Sequence, residues 1–266
     1  MLNKLLVRVN NIEEIEILNK KGISNFLFPL EGFSIGYNTF KLEELQNLNV
    51  NVYLLLNRLF DNNDVNNFKN IKEKLNFVSG IFFEDIAVYM ILRDTNINLV
   101  WNSMHAVISS CSVNSWLSRV GSASLSNELT KEEIKYILDK ASKPLVISVF
   151  GQNPVMYSRR NVITNYNLSK KINLPKKMIV EANIDSQFVA IENEYGTIFF
   201  NNKYFDYREF VKSLDDSKIL FYYFDIADLS VLELENIIDG MNVLSDNRFL
   251  NKKTIYKLEA RSWLRY

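Results

Sequence analysis

Short apolar runs alternate with segments of helical periodicity over the first 150 residues of this chain. The run from Val50 to Leu56 is almost continuously hydrophobic, which is typical of a strand covered on both faces in a parallel sheet. Similar runs predict seven strands, at Leu5–Val9, Asn25–Leu30, Val50–Leu56, Val78–Phe83, Ile97–Trp101, Ala123–Leu125 and Leu145–Phe150. Strands that alternate with helices are typical of an α/β fold.

The segments between these runs carry helix start and stop signals. Asn11 precedes an acidic first turn, and Gly22 follows the last periodic residue, which predicts a helix at Ile12–Lys21. Thr130 and Glu133 have the spacing of a capping box. Helices are also predicted at Leu42–Leu48, Asp64–Leu75, Ile86–Leu92, Val113–Val120 and Lys131–Ala141.

The alternation breaks after Tyr166. Two β-type runs within Phe188–Phe200 surround a turn at Asn193–Gly196, and this pattern predicts a hairpin. The predicted elements beyond it are a helix at Phe205–Leu214, a strand at Ile219–Phe224 and a helix at Leu229–Met241.

Eight strand–helix units in about 240 residues predict a (β/α)8 TIM-like barrel. We expect residues 1–266 to form this single barrel domain, with the hairpin region 167–204 inserted between units seven and eight. An open, doubly wound sheet is the alternative. No Gly-x-Gly-x-x-Gly motif follows any predicted strand, which argues against a dinucleotide-binding fold.

Composition narrows the chemistry. Lys and Arg total 31 against 31 Asp and Glu, so RNA or a membrane would have to bind a local basic patch. One cysteine and one histidine exclude disulfide frameworks, all-cysteine iron–sulfur sites and multi-histidine zinc sites within the chain. We expect no metal site. The chain shows neither a signal-peptide core nor an apolar run near the roughly 20 residues of a membrane span, which predicts a cytoplasmic protein without membrane contact.

Polar side chains follow nearly every predicted strand. Residues just past the carboxyl ends of barrel strands line one site, so we expect these side chains to share a pocket. They are Glu31, Asn57, Arg58, Glu84, Asp85, Asn102, His105, Asn127, Glu128, the loop Gln152–Arg160, Asp225 and Asp228. Adjacent strand residues point to opposite faces, so we expect Glu84 to face the pocket and Asp85 to cap the next helix.

Glu84, His105 and Glu128 are the candidate catalytic residues. Histidine is the side chain whose ordinary pKa suits acid–base chemistry near neutral pH, and Glu128 could be its carboxylate partner. A purely structural histidine is the competing interpretation. Cys111 precedes a predicted helix, where thiol pKa values fall, so a Cys–His pair is one hypothesis and a buried, inert thiol is the favoured one.

A second group of residues is predicted to bind substrate. Its members are Glu31, Arg58, Asn102, Tyr157, Ser158, Arg159 and Arg160. Guanidinium groups beside aromatic rings suit recognition of phosphate or carboxylate. Lys170, Lys171, Lys176 and Lys177 extend the two adjacent arginines into a local basic run, for which a solvated loop is the competing interpretation.

Several short motifs lie at these strand ends. They are Asn57–Phe60, Phe83–Asp85, Trp101–His105, Glu128–Thr130 with Glu132–Ile134, and Phe150–Gly151 with Met156–Arg160. Taken together they resemble peptidase family U32, and the resemblance covers roughly residues 1–240. It implies a barrel fold. It also implies either the collagenase-like peptidase activity of the family label or a part in RNA modification, notably hydroxylation of the wobble uridine of tRNA.

The chain departs from the family at its cysteines. In the family signature one cysteine lies three residues after the glycine that Gly151 matches, and another lies seven residues later. Here these positions are Pro154 and Asn161. The iron–sulfur cluster that many members hold cannot form in this chain, so we expect no cofactor. The resemblance then implies a cluster-free subunit that works on tRNA with a cysteine-bearing paralogue.

Two alternatives from other classes stay open. One is a collagenase-like peptidase in which a carboxylate pair, such as Glu84 and Glu128, shares a proton and acts on water. The other is a catalytically silent barrel that serves as a scaffold. The sequence leaves open whether the chain is an enzyme on its own.

Overall fold

A computed structural model describes residues 2–103, 105–183, 186–225, 233 and 254–257. The strands are β1 Leu5–Arg8, β2 Asn25–Pro29, β3 Asn51–Leu56, β4 Gly80–Phe83, β5 Asn98–Trp101, β6 Ser122–Ala123, β7 Leu145–Ser158, β8 Lys177–Asn183, β9 Ser186–Asn193, β10 Gly196–Asp206, β11 Ile219–Asp225 and β12 Thr254–Lys257. The α-helices are α1 Glu13–Lys20, α2 Leu42–Leu45, α3 Asn62–Ile71, α4 Ile86–Leu92, α5 Ser110–Leu117, α6 Lys131–Lys140, α7 Val162–Lys170 and α8 Arg208–Val211. None of these described helices has the length and apolarity that crossing a membrane requires.

One sheet contains all of these strands. Eleven of them follow a single path in the order β6-β5-β4-β3-β2-β1-β11-β7-β10-β9-β8, and β12 pairs with β10. Each neighbouring pair from β6 to β7 is parallel. The pairs from β7 to β8 are antiparallel. The parallel part curls, because a bridge joins Ser124 to Val146 and the Leu125 backbone N–H donates to the Val146 carbonyl at 3.0 Å.

The predicted alternation of strands and helices is confirmed over the parallel part of the sheet. The bounds of β1 to β6 agree with the prediction within two residues. The eight-unit barrel stays a prediction, because its eighth helix, Leu229–Met241, lies outside the described residues apart from Glu233. Asp228, one of the predicted strand-end residues, also lies outside them. The assignment of all 266 residues to a single domain is likewise still a prediction.

The core has two faces because the parallel strands are covered on both sides. Side chains alternate along a strand, so neighbouring residues enter different clusters. The inner cluster consists of Leu6, Leu27, Leu55, Phe82, Val100, Val146 and Phe221. The intervening residues, such as Val7, Leu54 and Phe83, join a larger cluster with the helices, which supply Leu18 and Phe68. Because both faces are covered, nearly every residue in these strands is hydrophobic. Each fully buried leucine or phenylalanine contributes about 1.5–3 kcal/mol.

Helix starts follow their sequence signals. The Thr130 side chain accepts the Glu133 backbone N–H, and the Glu133 carboxylate accepts the Thr130 N–H at 2.8 Å, so the capping box is confirmed. Asp85 caps α4 by accepting the Ala87 backbone N–H at 2.8 Å. The neighbouring carboxylate, Glu84, lies on the interior side at the carboxyl end of β4, whereas Asp85 does not.

The prediction of a loop at Gln152–Arg160 is wrong. β7 continues through Ser158 because β10 pairs with it in antiparallel register, with Thr197 opposite Ser158. Gly151 lies where β7 leaves β11, and its φ of 154° suits glycine. A Cβ atom at Gly151 would lie 2.7 Å from the Asp225 Cβ, so the two strands can approach here only if this residue is glycine.

The inserted region contains more structure than one hairpin. β9 and β10, with their turn between Asn193 and Gly196, confirm the predicted hairpin. α7 and β8 precede it and were not predicted, because their apolar residues follow neither helical nor strand periodicity clearly. The helix predicted at Phe205–Leu214 is wrong at its start. Phe205 belongs to β10, where it pairs with Gly151, and only α8 is helical.

Candidate functional site

A polar layer follows the apolar interior of the sheet toward the carboxyl ends of the strands. Because strand side chains alternate with a period of two, the second residue after each interior apolar residue faces the same side. The pairs are Leu55 with Asn57, Phe82 with Glu84, Val100 with Asn102, and Val146 with Ser148. The four polar members line one cavity.

This cavity has room for a small organic group. Its volume is about 140 Å³, roughly ten times what one water molecule needs. Amide and hydroxyl side chains are the most numerous on its described wall, among them those of Asn102, Ser124, Ser148, Gln152 and Asn153. No lysine or arginine is among the described residues that line it. The wall is therefore suited to hydrogen bonding rather than to binding an anion.

Glu84 is a cavity carboxylate without a protein partner. It follows β4 and is partly buried, and within the described part of the chain its side chain forms no hydrogen bond or ion pair. Burial raises the pKa of Glu84 well above its ordinary value near 4.5. This shift favours the protonated acid, which offers an O–H donor beside a carbonyl acceptor.

His105 and Glu128 are in contact at the edge of the cavity. The His105 Nδ1 lies 2.7 Å from the Glu128 Oε1, although the residues are 23 positions apart in sequence. Both side chains are about half exposed, at 51% and 45%. The Ser126 hydroxyl accepts the Glu128 backbone N–H at 3.2 Å, which helps to hold the loop after β6. A carboxylate on one ring nitrogen orients the imidazole and leaves Nε2 for proton transfer.

A buried ion pair joins two neighbouring strands beside the cavity. Arg8 ends β1 and Asp225 ends β11, and the sheet register places them opposite each other. The Arg8 Nε and Nη2 donate to the Asp225 Oδ1 at 2.8 and 2.6 Å. The guanidinium also stacks on the Tyr37 ring, 4.3 Å from its centroid. Burial opposes the charge of Arg8, but attraction to Asp225 outweighs it and raises the Arg8 pKa.

Tyr37 and Tyr223 complete this buried cluster and line the cavity. Both hydroxyls hydrogen-bond Asp225. Burial, reinforced by the negative charge of Asp225, raises the pKa of each tyrosine well above its ordinary value near 10. The hydroxyls therefore stay neutral and donate their protons to Asp225. Arg8 also donates a hydrogen bond to the Tyr223 hydroxyl, so the lone pairs left as acceptors for a ligand are mainly those of Tyr37.

Sequence reasoning missed Arg8, Tyr37 and Tyr223. The period-two pattern from Leu6 to Arg8, and from Phe221 to Tyr223, could have identified two of them, because it continues the interior face of each strand. Tyr37 lies in the loop after β2, where no local pattern marks it. The same period-two pattern does apply to Glu84 and Asn102, which sequence reasoning did select.

Asn57 and Arg58 are used to hold the loop after β2. The Asn57 Oδ1 accepts the Ile35 backbone N–H at 3.0 Å, and its Nδ2 donates to the Ile35 carbonyl at 3.0 Å. Arg58 is buried and does not line the cavity. Its guanidinium donates to the Gly32 carbonyl and to the Asp64 carboxylate, the latter at 2.6 Å. The predicted role of Arg58 in substrate binding stays a prediction.

The other predicted substrate-binding residues are distributed unevenly. Glu31 is exposed in the loop after β2, and Arg159 and Arg160 are exposed just beyond β7. Ser158 accepts the Arg160 backbone N–H at 3.1 Å, and burial raises the pKa of the partly buried Tyr157. None of these five residues lines the cavity. The predicted site residues that the structure brings to its wall are Glu84, Asn102, His105 and Glu128.

An iron–sulfur cluster does not fit the donor set of this chain. Cluster irons bind cysteine thiolates, and Cys111 is the only cysteine. The prediction of a buried thiol is wrong, because Cys111 is exposed in the first turn of α5. Pro154 in β7 cannot bind iron, and the Asn161 amide donates to the Asn193 carbonyl at 2.8 Å. Among the described residues, no three His, Cys, Asp or Glu side chains are grouped so that they could hold a metal ion.

Fold and site together define an α/β protein with a polar cavity at the carboxyl ends of its curled parallel sheet. Such a location is typical of α/β proteins that bind or transform small ligands. The sequence model of peptidase family U32 matches residues 10–219, so the chain belongs to peptidase family U32. The single cysteine makes it a cysteine-depleted member. Among curated proteins, none matches the chain significantly.

Proposed function

We propose that this chain is a cluster-free member of peptidase family U32 that binds a uridine of tRNA, as a subunit in 5-hydroxylation of the wobble uridine. A cysteine-bearing paralogue supplies the iron–sulfur cluster and the redox step, and the complex works in the cytoplasm. One observation carries the proposal. The single strand β7 leads from the wall of the polar cavity to an exposed basic segment.

The cavity supports the proposal through its hydrogen-bonding groups. Enzymes that act on a base within a nucleic acid take it into a pocket and read its edge by hydrogen bonds. Asn102, Ser148 and Gln152 offer both donors and acceptors for such an edge. The described wall lacks lysine and arginine, so it suits an uncharged base, and the phosphates would lie outside.

The basic segment supports the proposal through its position and charge. Arg159 lies four residues beyond the cavity residue Val155, which at about 3.3 Å per residue is roughly 13 Å along the strand direction. Residues 159–177 contain six basic residues and no Asp or Glu. All six are exposed: Arg159, Arg160, Lys170, Lys171, Lys176 and Lys177. A local patch of this kind binds RNA phosphates even where the net charge is zero.

The proposal includes closure of the parallel strands into a (β/α)8 barrel within one domain, residues 1–266. The eight strands would be β1 to β6, β7 and β11. Two observations support this closure: the parallel pairing of β11 with both β1 and β7, and the bridge from Ser124 to Val146. In a closed barrel the carboxyl ends of the strands form the site, which is where the cavity lies.

Nucleoside mass spectrometry of total tRNA from a deletion strain tests the function. We expect the hydroxylated wobble uridine to disappear and to return when the wild-type gene is restored. The tagged protein should co-purify with a larger, cysteine-containing homologue. An unchanged nucleoside profile in the deletion strain would refute the proposal.

A second candidate is a hydrolase, which the contact between His105 and Glu128 favours. An imidazole oriented by a carboxylate can take a proton from water. The pair Glu84 and Glu128 has less support, because Glu128 binds His105 and because burial, rather than a like charge, raises the Glu84 pKa. Purified protein should then cleave a collagen-derived peptide. Cleavage that persists in both His105→Gln and Glu128→Gln would exclude this pair as the catalytic one.

A further inference from the structure

The charged groups on the cavity wall are unequally partnered. Asp225 binds Arg8, and Glu128 binds His105. Glu84 faces the cavity without a protein partner among the described residues, and no lysine or arginine lines the described wall. A phosphate or carboxylate ligand would meet an unpaired carboxyl group there and no free cation. The wall therefore disfavours anionic ligands.

We propose that Glu84 selects the ligand of this cavity by binding, as a carboxylic acid, an uncharged heterocycle with an N–H donor beside a carbonyl acceptor. The acid group offers its own O–H beside its own C=O, so two parallel hydrogen bonds form and no net charge is buried. The imide edge of uracil has this pattern. The proposal deepens the proposed function and rests on it for the choice of uridine as the first probe.

Tyr37 and Tyr223 restrict the ligand in a complementary way. Asp225 accepts the protons of both hydroxyls, and Arg8 donates to the hydroxyl of Tyr223, so these side chains offer the cavity lone pairs, mainly those of Tyr37. An acceptor that stays unpaired after burial is costly, so a ligand gains by bringing further N–H or O–H donors toward them. A nucleoside has such donors in its ribose hydroxyls.

Protonation of Glu84 makes binding dependent on pH. The titratable or charged groups that line the described cavity with Glu84 are Tyr37, His105, Glu128, Tyr207, Tyr223 and Asp225. Tyr157 does not line the cavity but is close enough to Glu84 to interact with it electrostatically. Burial raises the pKa of each of these four tyrosines, and Arg8 neutralises Asp225. Variants of Glu84 and of His105 therefore have to distinguish the effect of Glu84 on binding from the effect of the His105–Glu128 pair. When Glu84 loses its proton, its oxygen faces the ligand carbonyl, so affinity falls as pH rises.

Calorimetric titration of the purified full chain with uridine tests this inference. Between about pH 5.5 and pH 8.5 we expect the affinity to be highest at the acid end, and to fall about tenfold per pH unit above the Glu84 pKa. Glu84→Gln keeps a donor beside an acceptor without a proton to lose. It should bind uridine within about threefold of the wild-type affinity at low pH, with no dependence on pH.

Two controls isolate Glu84. His105→Gln should keep the pH dependence of the wild type, because the pair at the cavity edge is not the selecting group. The ligand 3-methyluridine lacks the imide N–H, so it should bind about tenfold more weakly than uridine. Equal binding of the two ligands would contradict pairing with the imide edge.

The outcomes separate this inference from the proposed function. Affinity that rises with pH would indicate a cationic ligand held by ionised Glu84 and would overturn the inference. Absence of uridine binding at every pH would also overturn it, while loss of the modified nucleoside in the deletion strain would still uphold the proposed function. Uridine binding with the predicted pH dependence, together with an unchanged tRNA profile, would uphold the inference and refute the proposed function.

Discussion

Two side-chain pairs at the cavity have nearly the same geometry and opposite surroundings. The closest N···O distance is 2.6 Å in Arg8–Asp225 and 2.7 Å in His105–Glu128. The first pair is 1% and 5% exposed, and the second is 51% and 45% exposed. Breaking a buried pair leaves an uncompensated charge, whereas an exposed pair contributes only about 0–1 kcal/mol. Burial, and not distance, thus separates a pair that holds the fold from one that is free for chemistry.

The largest expected effect follows from breaking the buried pair. Arg8→Met leaves Asp225 buried without a cation, so we expect the free energy of unfolding to fall by about 3–5 kcal/mol. Urea unfolding followed by circular dichroism measures it. The double variant Arg8→Met with Asp225→Leu is the matched control, and it should recover much of the loss because no charge remains buried. A loss below about 1 kcal/mol in Arg8→Met would contradict the assignment.

A smaller effect is expected at Glu84, which lies between the two pairs in burial and has no partner. Its folded pKa is raised by burial, so the folded state holds this proton more tightly than the unfolded chain. Stability from this group is complete below its ordinary pKa near 4.5 and declines as pH rises toward the folded value. Glu84→Gln should remove that decline. We would compare the two unfolding free energies between about pH 5 and pH 8, and parallel curves would refute the burial of this carboxyl.

The smallest effect on stability is expected at the exposed pair. Glu128→Gln should change the free energy of unfolding by less than about 1 kcal/mol, because water already solvates both side chains. If His105 transfers a proton, His105→Gln should lower the rate of the cellular reaction by about 10²-fold or more while the protein stays folded. Complementation of the deletion strain, read by nucleoside mass spectrometry, checks it. If both His105→Gln and Glu128→Gln restore the modified nucleoside fully, the His105–Glu128 pair has no role in the reaction.

The parallel part of the sheet was predictable because its signals are local. Each of the strands β1 to β6 buries both faces, so its own apolar run is enough to predict it without reference to neighbouring strands. The spacing of Thr130 and Glu133 placed the start of α6. Adjacent strand residues point in opposite directions, which predicted that Asp85 caps α4 and that Glu84 faces the pocket. The structure places both side chains in this way.

The second half of β7 was not predictable in this way. Polar residues and Pro154 interrupt its apolar run, and its strand conformation depends on β10, about 40 residues further along the chain. Cys111 gives a similar lesson. Its exposure depends on which face of α5 packs against the sheet, and the serine-rich sequence around it does not reveal that face.

The sequence by itself determined the alternation of elements, the family, and the lack of thiolate ligands for a cluster, because composition, periodicity and motifs are properties of the chain alone. The tertiary structure decided which polar groups became partners. Arg8 meets Asp225 across 217 positions and His105 meets Glu128 across 23, because β1 lies beside β11 and neighbouring strand ends converge. The tertiary structure also decided which side chains are buried, because burial depends on the whole packed molecule. It placed Glu84 on the described wall of the cavity without a protein partner there.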